Sequence, residues 1–331
     1  MVNTAIALPR VFVTRRLPEP ALSRLQQAPI VLDLWPEAGP PPYEELQRRV
    51  AGCQGLLCLL TDRIDEALLA AAGSELRVIS QMAVGVDNID LAACTRRGIP
   101  VGHTPGVLTE ATADLAVALL LATARRLVEA ANDVKAGRWH TWDPMGWVGP
   151  DVHGSTVGIV GLGRIGAAVA RRLQGFAVRL LYHNPRPSPW AAEVGATWVP
   201  WETLLAESDF ITLHCPYSPA THHLINAAAL AQMKPTAILI NTARGGVVDQ
   251  EALEQALRTG RIAAAGLDVT TPEPLPADHP LLSLPNVVVL PHIGSASLSA
   301  RRRMAEMAVA NLLAGLAGER LPHCANPAVY G

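Results

Sequence analysis

Short runs of β-branched and aliphatic residues alternate with amphipathic stretches along almost the whole chain. In the first block these runs start at Val11 (VFVTR), Ile30 (IVLDL), Gly55 (GLLCLL) and Leu76 (LRVIS). The stretches between them, such as EPALSRLQQ and YEELQRRV, have the spacing of amphipathic helices. This alternation predicts βαβ units, and therefore a parallel sheet that is covered on both faces.

A second alternating block runs from Val157 to Leu290 and predicts a second sheet. Its six strand-like runs are TVGIVG, AVRLLYHN, DFITLHC, AILIN, IAAAGLDV and VVVLP. Six strands with intervening helices match one doubly wound nucleotide-binding domain. The first block has no glycine-rich turn after its first strand, so we assign it to substrate binding. The predicted fold class is α/β with two doubly wound parallel-sheet domains, which suits a chain of 331 residues.

The composition is that of a globular enzyme and argues against several other classes of protein. Half of the residues are apolar, 17% are charged and the net charge is −2, which leaves no electrostatic footprint for nucleic acid or an anionic membrane. The five cysteines are scattered, and no Cys/His cluster indicates a metal site. The opening MVNTAIALPR lacks the basic region of a signal peptide, and the longest apolar run is too short to span a bilayer. We therefore expect a cytoplasmic protein with reduced thiols.

A stretch from about Leu108 to Lys135 predicts one long helix, largely buried because apolar residues cover more than one of its faces. The segment that follows, RWHTWDPMGWVGPDVHG, holds three of the seven tryptophans, Trp139, Trp142 and Trp147. Two interpretations of this segment stay open. It is either a packed surface loop or an arm that crosses to another subunit, since aromatic residues are enriched at interface cores.

The segment TVGIVGLGRIG places Gly161, Gly163 and Gly166 at the spacing of a dinucleotide-binding turn, between a Val/Ile strand and a helical pattern. Gly161 permits the tight turn, Gly163 lets the backbone approach a pyrophosphate, and Gly166 lets the helix pack on the strand. The N-terminus of the helix then faces the anion. The motif in this context predicts a nicotinamide dinucleotide site.

The next strand ends in LLYHNPRPSP, where an NAD site usually places a carboxylate on the ribose hydroxyl. This chain instead has His183 and Asn184, with Arg186 just beyond, and no Asp or Glu. A carboxylate would repel a 2′-phosphate, whereas an amide and a guanidinium can bind one. We therefore expect NADP(H) to be preferred, with NAD(H) possible; Pro185, where related sites often have Arg, leaves the strength of the preference open.

Three later segments carry polar residues just after predicted strands. They are INTARGGVVD with Arg244, GLDVTTPEPLP with Asp268 and Glu273, and LPHIGSAS with His292. Ligands of open α/β sheets bind outside the carboxyl ends of the strands. Taken singly, these residues fit an ion pair, a cap, a solvated carboxylate or a structural histidine. Taken together, they predict a catalytic site.

These motifs resemble those of the D-2-hydroxyacid dehydrogenase family. The resemblance rests on GxGxxG, NTARGGVVD, a Glu-Pro pair after GLDV, and LPHIGSAS. It extends to SQMAVGVDNID from Ser80 and TPGVLTEATADLAVALLL from Thr104, and so covers nearly the whole chain. Within the family, GLDVTTPEPLPADHPLL, LPHIGSAS and NLLAGLAGE are most similar to the glyoxylate/hydroxypyruvate reductases.

The resemblance implies reduction of a small 2-keto acid, such as glyoxylate or hydroxypyruvate, to the D-2-hydroxy acid (glycolate or D-glycerate). It implies that His292 is the general acid that protonates the carbonyl oxygen as hydride arrives. Glu273 would accept a hydrogen bond from His292, and an adjacent carboxylate favours the imidazolium form. Arg244 would bind the substrate carboxylate and polarise the carbonyl.

The resemblance also implies which residues bind the ligands. Backbone amides near Val84 and Gly85 would hold the substrate carboxylate. The resemblance adds five cofactor-binding residues to the ones named above. They are Arg164 and Ile165 at the pyrophosphate, Cys215 through its backbone, Thr242, and Asp268 at the nicotinamide amide.

The domain organisation that the resemblance implies is discontinuous. Residues 1–103 plus 296–331 would form a flavodoxin-like substrate domain, and residues 104–295 a Rossmann NAD(P)-binding domain inserted into it. The resemblance further implies a homodimer built around the cofactor domains, and a cleft that closes on substrate. Two alternatives stay open: a family member that acts on a bulkier 2-keto acid, and a nicotinamide-sensing corepressor.

Overall fold

The computed structural model describes residues 7–331, so that six of the ten residues on which the signal-peptide expectation rests lie outside the described part. The described chain forms two compact units. The first consists of the residues up to Leu108 together with Ser297–Gly331, and the second is Thr109–Ala296. Each unit has its own parallel sheet, as the sequence predicted.

The described part of the first unit contains a sheet of five parallel strands in the order β2-β1-β3-β4-β5, which is the flavodoxin-like order. Its strands are β1 (Arg10–Val13), β2 (Val31–Leu34), β3 (Gly55–Cys58), β4 (Val78–Gln81) and β5 (Val101–Gly102). The sequence predicted the first four strands. It did not predict β5, because a strand of two residues leaves no periodic pattern.

Between residue 7 and the entry into the second unit, the chain forms four helices. They are α1 (Ala21–Gln27), α2 (Tyr43–Val50), α3 (Glu66–Ala72) and α4 (Leu91–Arg96). Asp65 and Asp90 cap α3 and α4, since their side chains accept hydrogen bonds from the amides three residues on, at 3.0 and 2.8 Å. The apolar core includes Phe12, Leu56 and Ile79, all fully buried.

The sheet of the second unit, all of which the structure describes, has seven parallel strands in the order β12-β11-β10-β9-β6-β7-β8. Its strands are β6 (Thr156–Val160), β7 (Arg179–His183), β8 (Thr197–Trp198), β9 (Phe210–Leu213), β10 (Ile238–Asn241), β11 (Ala264–Leu267) and β12 (Val287–Val289). The sequence predicted six strands and missed β8, again a strand of two residues. The strand order reverses between β6 and β9, where ligands of doubly wound folds bind.

Seven helices lie within Thr109–Ala296, and those that pack on the sheet bury both of its faces. The seven helices are α5 (Thr109–Ala124), α6 (Leu127–Lys135), α7 (Arg164–Leu173), α8 (Ala191–Val194), α9 (Trp201–Glu207), α10 (Ala227–Gln232) and α11 (Gln250–Arg258). One apolar layer contains Leu119 of α5 and Val169 of α7, and the other contains Leu204 of α9 and Leu253 of α11.

The single helix predicted over 108–135 is wrong, because the structure divides it into α5 and α6. Arg126, between them, has a left-handed φ of 52°. A Cβ built on Gly149 would lie 1.9 Å from the carbonyl oxygen of Ala124, so the returning chain packs directly on the end of α5. The prediction of burial holds for α5 alone, since α6 contains no buried residue.

The tryptophan-rich segment after α6 lies at the surface. Trp139 and Trp142 are 67% and 78% exposed, whereas Trp147 stacks under the Arg126 guanidinium at 4.8 Å. The interpretation as a packed loop is therefore wrong for the first two tryptophans. That this segment is an arm crossing to another subunit stays a prediction, since the structure contains one chain.

The chain returns to the first unit through α12 (Leu298–Leu316), which packs on β3 and β4. Ser297 caps this helix as the sequence predicted, since its hydroxyl accepts a hydrogen bond from the amide of Ala300 at 3.1 Å. Among residues 7–331 there is no helix with the length and apolar character needed to cross a membrane.

Candidate active site

The glycine-rich turn joins β6 to α7 and leaves an open space at the start of the helix. Gly161 has a φ of +95°, and a Cβ on Gly166 would lie 2.3 Å from the carbonyl oxygen of Gly161. A Cβ on Gly163 would meet no atom within 4 Å. Gly163 precedes Arg164 and Ile165, whose amides belong to the first turn of α7 and have no acceptor within the helix. The open position at Gly163 and the two amides without a helical acceptor fit a pyrophosphate.

The carboxyl end of β9 lies directly against this turn. A Cβ on Gly161 would be 2.6 Å from the amide nitrogen of Cys215, so the backbone of Cys215 closes on the turn. Burial raises the pKa of the Cys215 thiol to about 11, which keeps it a neutral thiol. Cys215 therefore borders the predicted cofactor site through its backbone, although its binding role stays a prediction.

Two buried polar atoms after β9 and β10 have no hydrogen-bond partner among the described residues. They are Nδ1 of His214 and Oγ1 of Thr242. Burial lowers the pKa of His214 to about 3, so its imidazole stays neutral; its Nε2 pairs with the hydroxyl of Thr212 at 2.9 Å. Since buried polar atoms are seldom left unpaired, these two fit a site that a polar ligand completes. The sequence analysis missed His214, because a lone histidine carries no signal of its own.

At the end of β7, two polar side chains each make one hydrogen bond within the protein, and an exposed guanidinium follows them. Asn184 Oδ1 accepts a hydrogen bond from the amide of Leu162 at 2.7 Å, and His183 Nδ1 donates to the carbonyl of Val199 at 3.0 Å. Arg186 is exposed. Ser188, which the sequence analysis did not single out, is buried and donates to the carbonyl of Leu162 at 2.6 Å. Asn184 and Ser188 therefore fix the glycine-rich turn from both sides of Leu162. Among residues 7–331 the side-chain nitrogen of Asn184 donates no hydrogen bond, so this nitrogen and the exposed Arg186 can both meet an anion.

The ends of β10, β11 and β12 are joined by a ladder of hydrogen bonds. The amide of Asp268 donates to the carbonyl of Asn241 at 2.8 Å, and the amide of His292 donates to the carbonyl of Asp268 at 2.9 Å. The Asp268 carboxylate accepts from the amides of Ile293 and Gly294, both at 2.7 Å. Burial raises the pKa of Asp268, although these two amides act in the opposite direction. Asp268 thus holds the turn that carries His292; its predicted contact with the nicotinamide stays a prediction.

His292 and Glu273 are in direct contact. Nδ1 of His292 is hydrogen bonded to Oε1 of Glu273, and both side chains are partly exposed, at 22% and 34%. Because the carboxylate fixes Nδ1, the Nε2 edge of the ring is left to act on a substrate. His292 has a left-handed φ of 54°, an uncommon conformation for a histidine that the Asp268 contacts maintain.

Arg244 lies in the turn after β10, next to the segment that leads to Glu273. Its carbonyl accepts a hydrogen bond from the side chain of Asn241 at 2.9 Å, which fixes the backbone of this turn. A Cβ on Gly245 would lie 2.0 Å from the carbonyl oxygen of Thr270, so the turns after β10 and β11 pack against each other. The structure thus places Arg244, Glu273 and His292 on neighbouring turns at one edge of the sheet.

Val84 and Gly85 lie in the first unit, in the loop that follows β4. Within the described part of the chain, their amides donate no hydrogen bond. This loop is at the carboxyl edge of its own sheet, where ligands of open α/β sheets bind. No group of three or more potential metal-ligating side chains occurs among residues 7–331.

The sequence matches a known family and close relatives. Residues 117–294 match the family described as "D-isomer specific 2-hydroxyacid dehydrogenase, NAD binding domain". The chain is 53% identical over 323 residues to a glyoxylate reductase of Korarchaeum cryptofilum, covering 97% of each sequence. It is 54% identical over 318 residues to a glyoxylate reductase/hydroxypyruvate reductase of Mus musculus, covering 95% of this chain and 97% of the relative.

Solved structures are similar over nearly the full length. A protein from Thermus thermophilus superposes with a TM-score of 0.90 at 50% identity, covering 96% of this chain and 99% of its own. An NADPH-dependent glyoxylate/hydroxypyruvate reductase from Sinorhizobium meliloti, in complex with NADP and malonate, gives a TM-score of 0.82 at 34% identity, with coverages of 96% and 98%.

Proposed function

The chain belongs to the D-isomer specific 2-hydroxyacid dehydrogenases, and on that premise we propose that it reduces glyoxylate and hydroxypyruvate to glycolate and D-glycerate. It is an NAD(P)-dependent dehydrogenase. The observation that carries the proposal is the contact between His292, beyond β12, and Glu273, beyond β11, in the same unit as the glycine-rich turn. The names of relatives at about half identity support the substrates.

The nicotinamide cofactor, when bound, supplies the hydride that reduces the carbonyl carbon. His292 then supplies the proton to the carbonyl oxygen from Nε2, while Glu273 stays on Nδ1 and balances the imidazolium charge. Because both partners are partly exposed, His292 can recover a proton from water after product leaves.

Substrate recognition depends on the carboxylate that all 2-keto acids share. We assign Arg244 as its cationic partner, since a guanidinium presents two parallel donors to a carboxylate and can reach the adjacent carbonyl oxygen. The packing of the Arg244 turn on Thr270 supports this role, because it fixes the arginine beside the segment that carries Glu273.

NADPH is the proposed cofactor of preference. The support comes from the end of β7, where Asn184 and Arg186 stand and no carboxylate occurs between His183 and Trp190. A related structure that is NADPH-dependent and contains NADP adds to this support. NADH remains usable in this proposal, because Asn184 can also bond a ribose hydroxyl.

We also propose a cytoplasmic homodimer that associates through α6 and the tryptophan-rich arm. This face displays an unusual concentration of exposed apolar side chains on the second unit, and such patches mark interfaces. They are Leu127, Val128, Val134, Trp139, Trp142, Met145 and Val148, each at least 41% exposed. Trp142 and Met145, both 78% exposed, are the most exposed of these side chains, and we assign Trp142 as the one that reaches a partner subunit.

The test is the rate of NADPH and NADH oxidation by the purified protein with glyoxylate, hydroxypyruvate, pyruvate and a bulkier 2-keto acid. We expect the first two to turn over fastest, NADPH to give the higher kcat/KM, and His292→Ala to lower kcat by about 10²-fold or more. Preference for the bulkier acid would reassign the substrate. No turnover together with tight cofactor binding would replace the reductase by a nicotinamide-sensing protein, and a clear NADH preference would refute the cofactor assignment.

A further inference from the structure

The loop after β4, residues 83–86, is the predicted binding site of the substrate carboxylate, and the rest of the first unit holds its backbone carbonyls in place. Three successive carbonyl oxygens, those of Ala83, Val84 and Gly85, each accept a hydrogen bond from the body of the first unit. Within residues 7–331, the amides of Val84, Gly85 and Val86 donate none. We propose that His103 and Gln81, through two of these carbonyl contacts, are the positioning residues that aim the loop amides at the substrate carboxylate. This inference rests on the proposed function.

The geometry of the peptide bond links each carbonyl contact to one amide. In a planar trans peptide the C=O of one residue and the N–H of the next point in opposite directions. A donor that holds the Val84 carbonyl therefore turns the Gly85 amide away from the protein body. In the same way, a donor on the Gly85 carbonyl sets the direction of the Val86 amide.

His103 holds the Val84 carbonyl and so orients the Gly85 amide. The distance from His103 Nδ1 to the carbonyl oxygen is 3.0 Å. Because a carbonyl only accepts, Nδ1 must carry the proton in this contact. The backbone of His103 is itself fixed, since its carbonyl accepts from the buried side chain of Asn311 at 3.0 Å and its amide donates to His323 at 3.1 Å. Asn311 of α12 and His323 beyond it thus support the substrate loop through His103.

Gln81 holds the Gly85 carbonyl and so orients the Val86 amide. It is fully buried at the end of β4, and its Nε2 lies 2.8 Å from the Gly85 carbonyl oxygen. Gln81 also exchanges hydrogen bonds in both directions with the side chain of Asn88, at 2.5 and 3.0 Å. Asn88 in turn donates to the carbonyls of Leu59 and Asp62, at 3.1 and 2.7 Å. The two amide side chains therefore tie the loop to the turn after β3.

A contact of this kind acts mainly on binding. An amide that points at a carboxylate stabilises substrate and transition state alike, and loss of such uniform binding raises KM while kcat changes little. A loss of general stability would instead lower the melting temperature without that pattern. The split between KM and kcat therefore separates a positioning role from a structural one.

The experiment compares His103→Phe, His103→Asn and Gln81→Met with wild-type enzyme, using NADPH and glyoxylate. Phe keeps the ring but has no donor, whereas Asn keeps an N–H near the position of Nδ1. We expect His103→Phe and Gln81→Met to raise KM about fivefold or more, with kcat within about twofold of wild type. His103→Asn should recover most of the wild-type KM.

Ser80→Ala is the matched control. Ser80 is the neighbour of Gln81 in β4, is equally buried, and donates one hydrogen bond to the carbonyl of Ala308 at 2.7 Å. Its removal should lower the melting temperature as Gln81→Met does, but leave KM unchanged. Equal KM values in Gln81→Met, His103→Phe and wild type would overturn the inference, as would an equal rise in Ser80→Ala.

A second readout separates this inference from the proposed function. Enzyme labelled with ¹⁵N-glycine is saturated with NADP⁺ and titrated with oxalate, and the Gly85 amide resonance, assigned from its loss in Gly85→Ala, is followed. It should shift in wild type and in Ser80→Ala but require several-fold more oxalate in His103→Phe. If wild type reduces no keto acid, the proposed function fails while this titration still tests the loop. If oxalate does not shift the Gly85 resonance in wild type, the inference is wrong while the proposed function is unaffected.

Discussion

His292, the predicted general acid, depends on its neighbours for an uncommon backbone conformation. His292 has a left-handed backbone, and Asp268 stabilises the turn by accepting hydrogen bonds from the next two amides. Glu273 then fixes the ring by bonding Nδ1. Each of these residues is recognisable in the sequence as a polar group after a strand. Only the structure shows that the Asp268 carboxylate binds the backbone of this turn, whereas the Glu273 carboxylate binds the imidazole ring.

Glu273→Gln should lower kcat by about 10²-fold while leaving the melting temperature unchanged. Glutamine has the shape of glutamate but no charge to balance the imidazolium, and the partly exposed site contributes little to stability. Steady-state kinetics with NADPH and glyoxylate, together with thermal melting, measure both effects. Glu251→Gln, an exposed change in the first turn of α11, is the control. A Glu273→Gln enzyme with the wild-type rate would remove Glu273 from the mechanism.

At the scale of elements, the β6–α7 turn shows that its three glycines meet different requirements. Gly161 and Gly166 are required by the protein itself, through a positive φ and through close backbone packing. Gly163 is not, since its Cβ position is open. The simplest physical reason for a glycine there is the space that a bound pyrophosphate needs. The sequence analysis predicted this division, and the structure agrees with the two roles that belong to the fold. The contact of Gly163 with a pyrophosphate stays a prediction.

Gly163→Ala should therefore bind NADPH at least about tenfold more weakly with an unchanged melting temperature. Gly166→Ala should lose about 1–3 kcal/mol of folding stability, because its Cβ would press on the carbonyl of Gly161. Fluorescence titration of NADPH and thermal melting distinguish the two outcomes. Gly175→Ala, whose Cβ would also meet nothing within 4 Å, is the control and should change neither. Unchanged NADPH affinity in Gly163→Ala would contradict the assignment of the pyrophosphate to this turn.

At the scale of the whole molecule, the chain contains two parallel sheets, and predicted site residues follow the carboxyl ends of strands in both. The first unit offers backbone amides beyond β4, and the second offers the glycine-rich turn, Arg244 and the Glu273–His292 pair. The exposed apolar face of α6 and the arm lies in the second unit. A homodimer through this face would bury side chains that the single chain leaves in water.

Val134→Glu should weaken the proposed dimer, because it places a charge among exposed apolar residues of α6, where Val134 is 55% exposed. Light scattering after gel filtration should give twice 35.1 kDa for wild type and a monomer fraction for the variant at low micromolar concentration. Leu298→Glu is the control, since Leu298 is 92% exposed in the first unit. A wild-type mass of a single chain would refute the homodimer, and an undisturbed Val134→Glu dimer would move the interface elsewhere.

The sequence by itself determined what is periodic or local. Short patterns in the sequence predicted the two parallel sheets, the glycine-rich turn and the cap at Ser297. They also predicted that Arg244, Glu273 and His292 follow the ends of strands. The tertiary structure decided what depends on distant segments. The two-residue strands β5 and β8 exist only because neighbouring strands pair with them, and α5 ends where Gly149 packs on it. His103 and Ser188 gained their contacts in the same way, because their partners Val84 and Leu162 lie 19 and 26 residues away in the chain and only the fold brings them close.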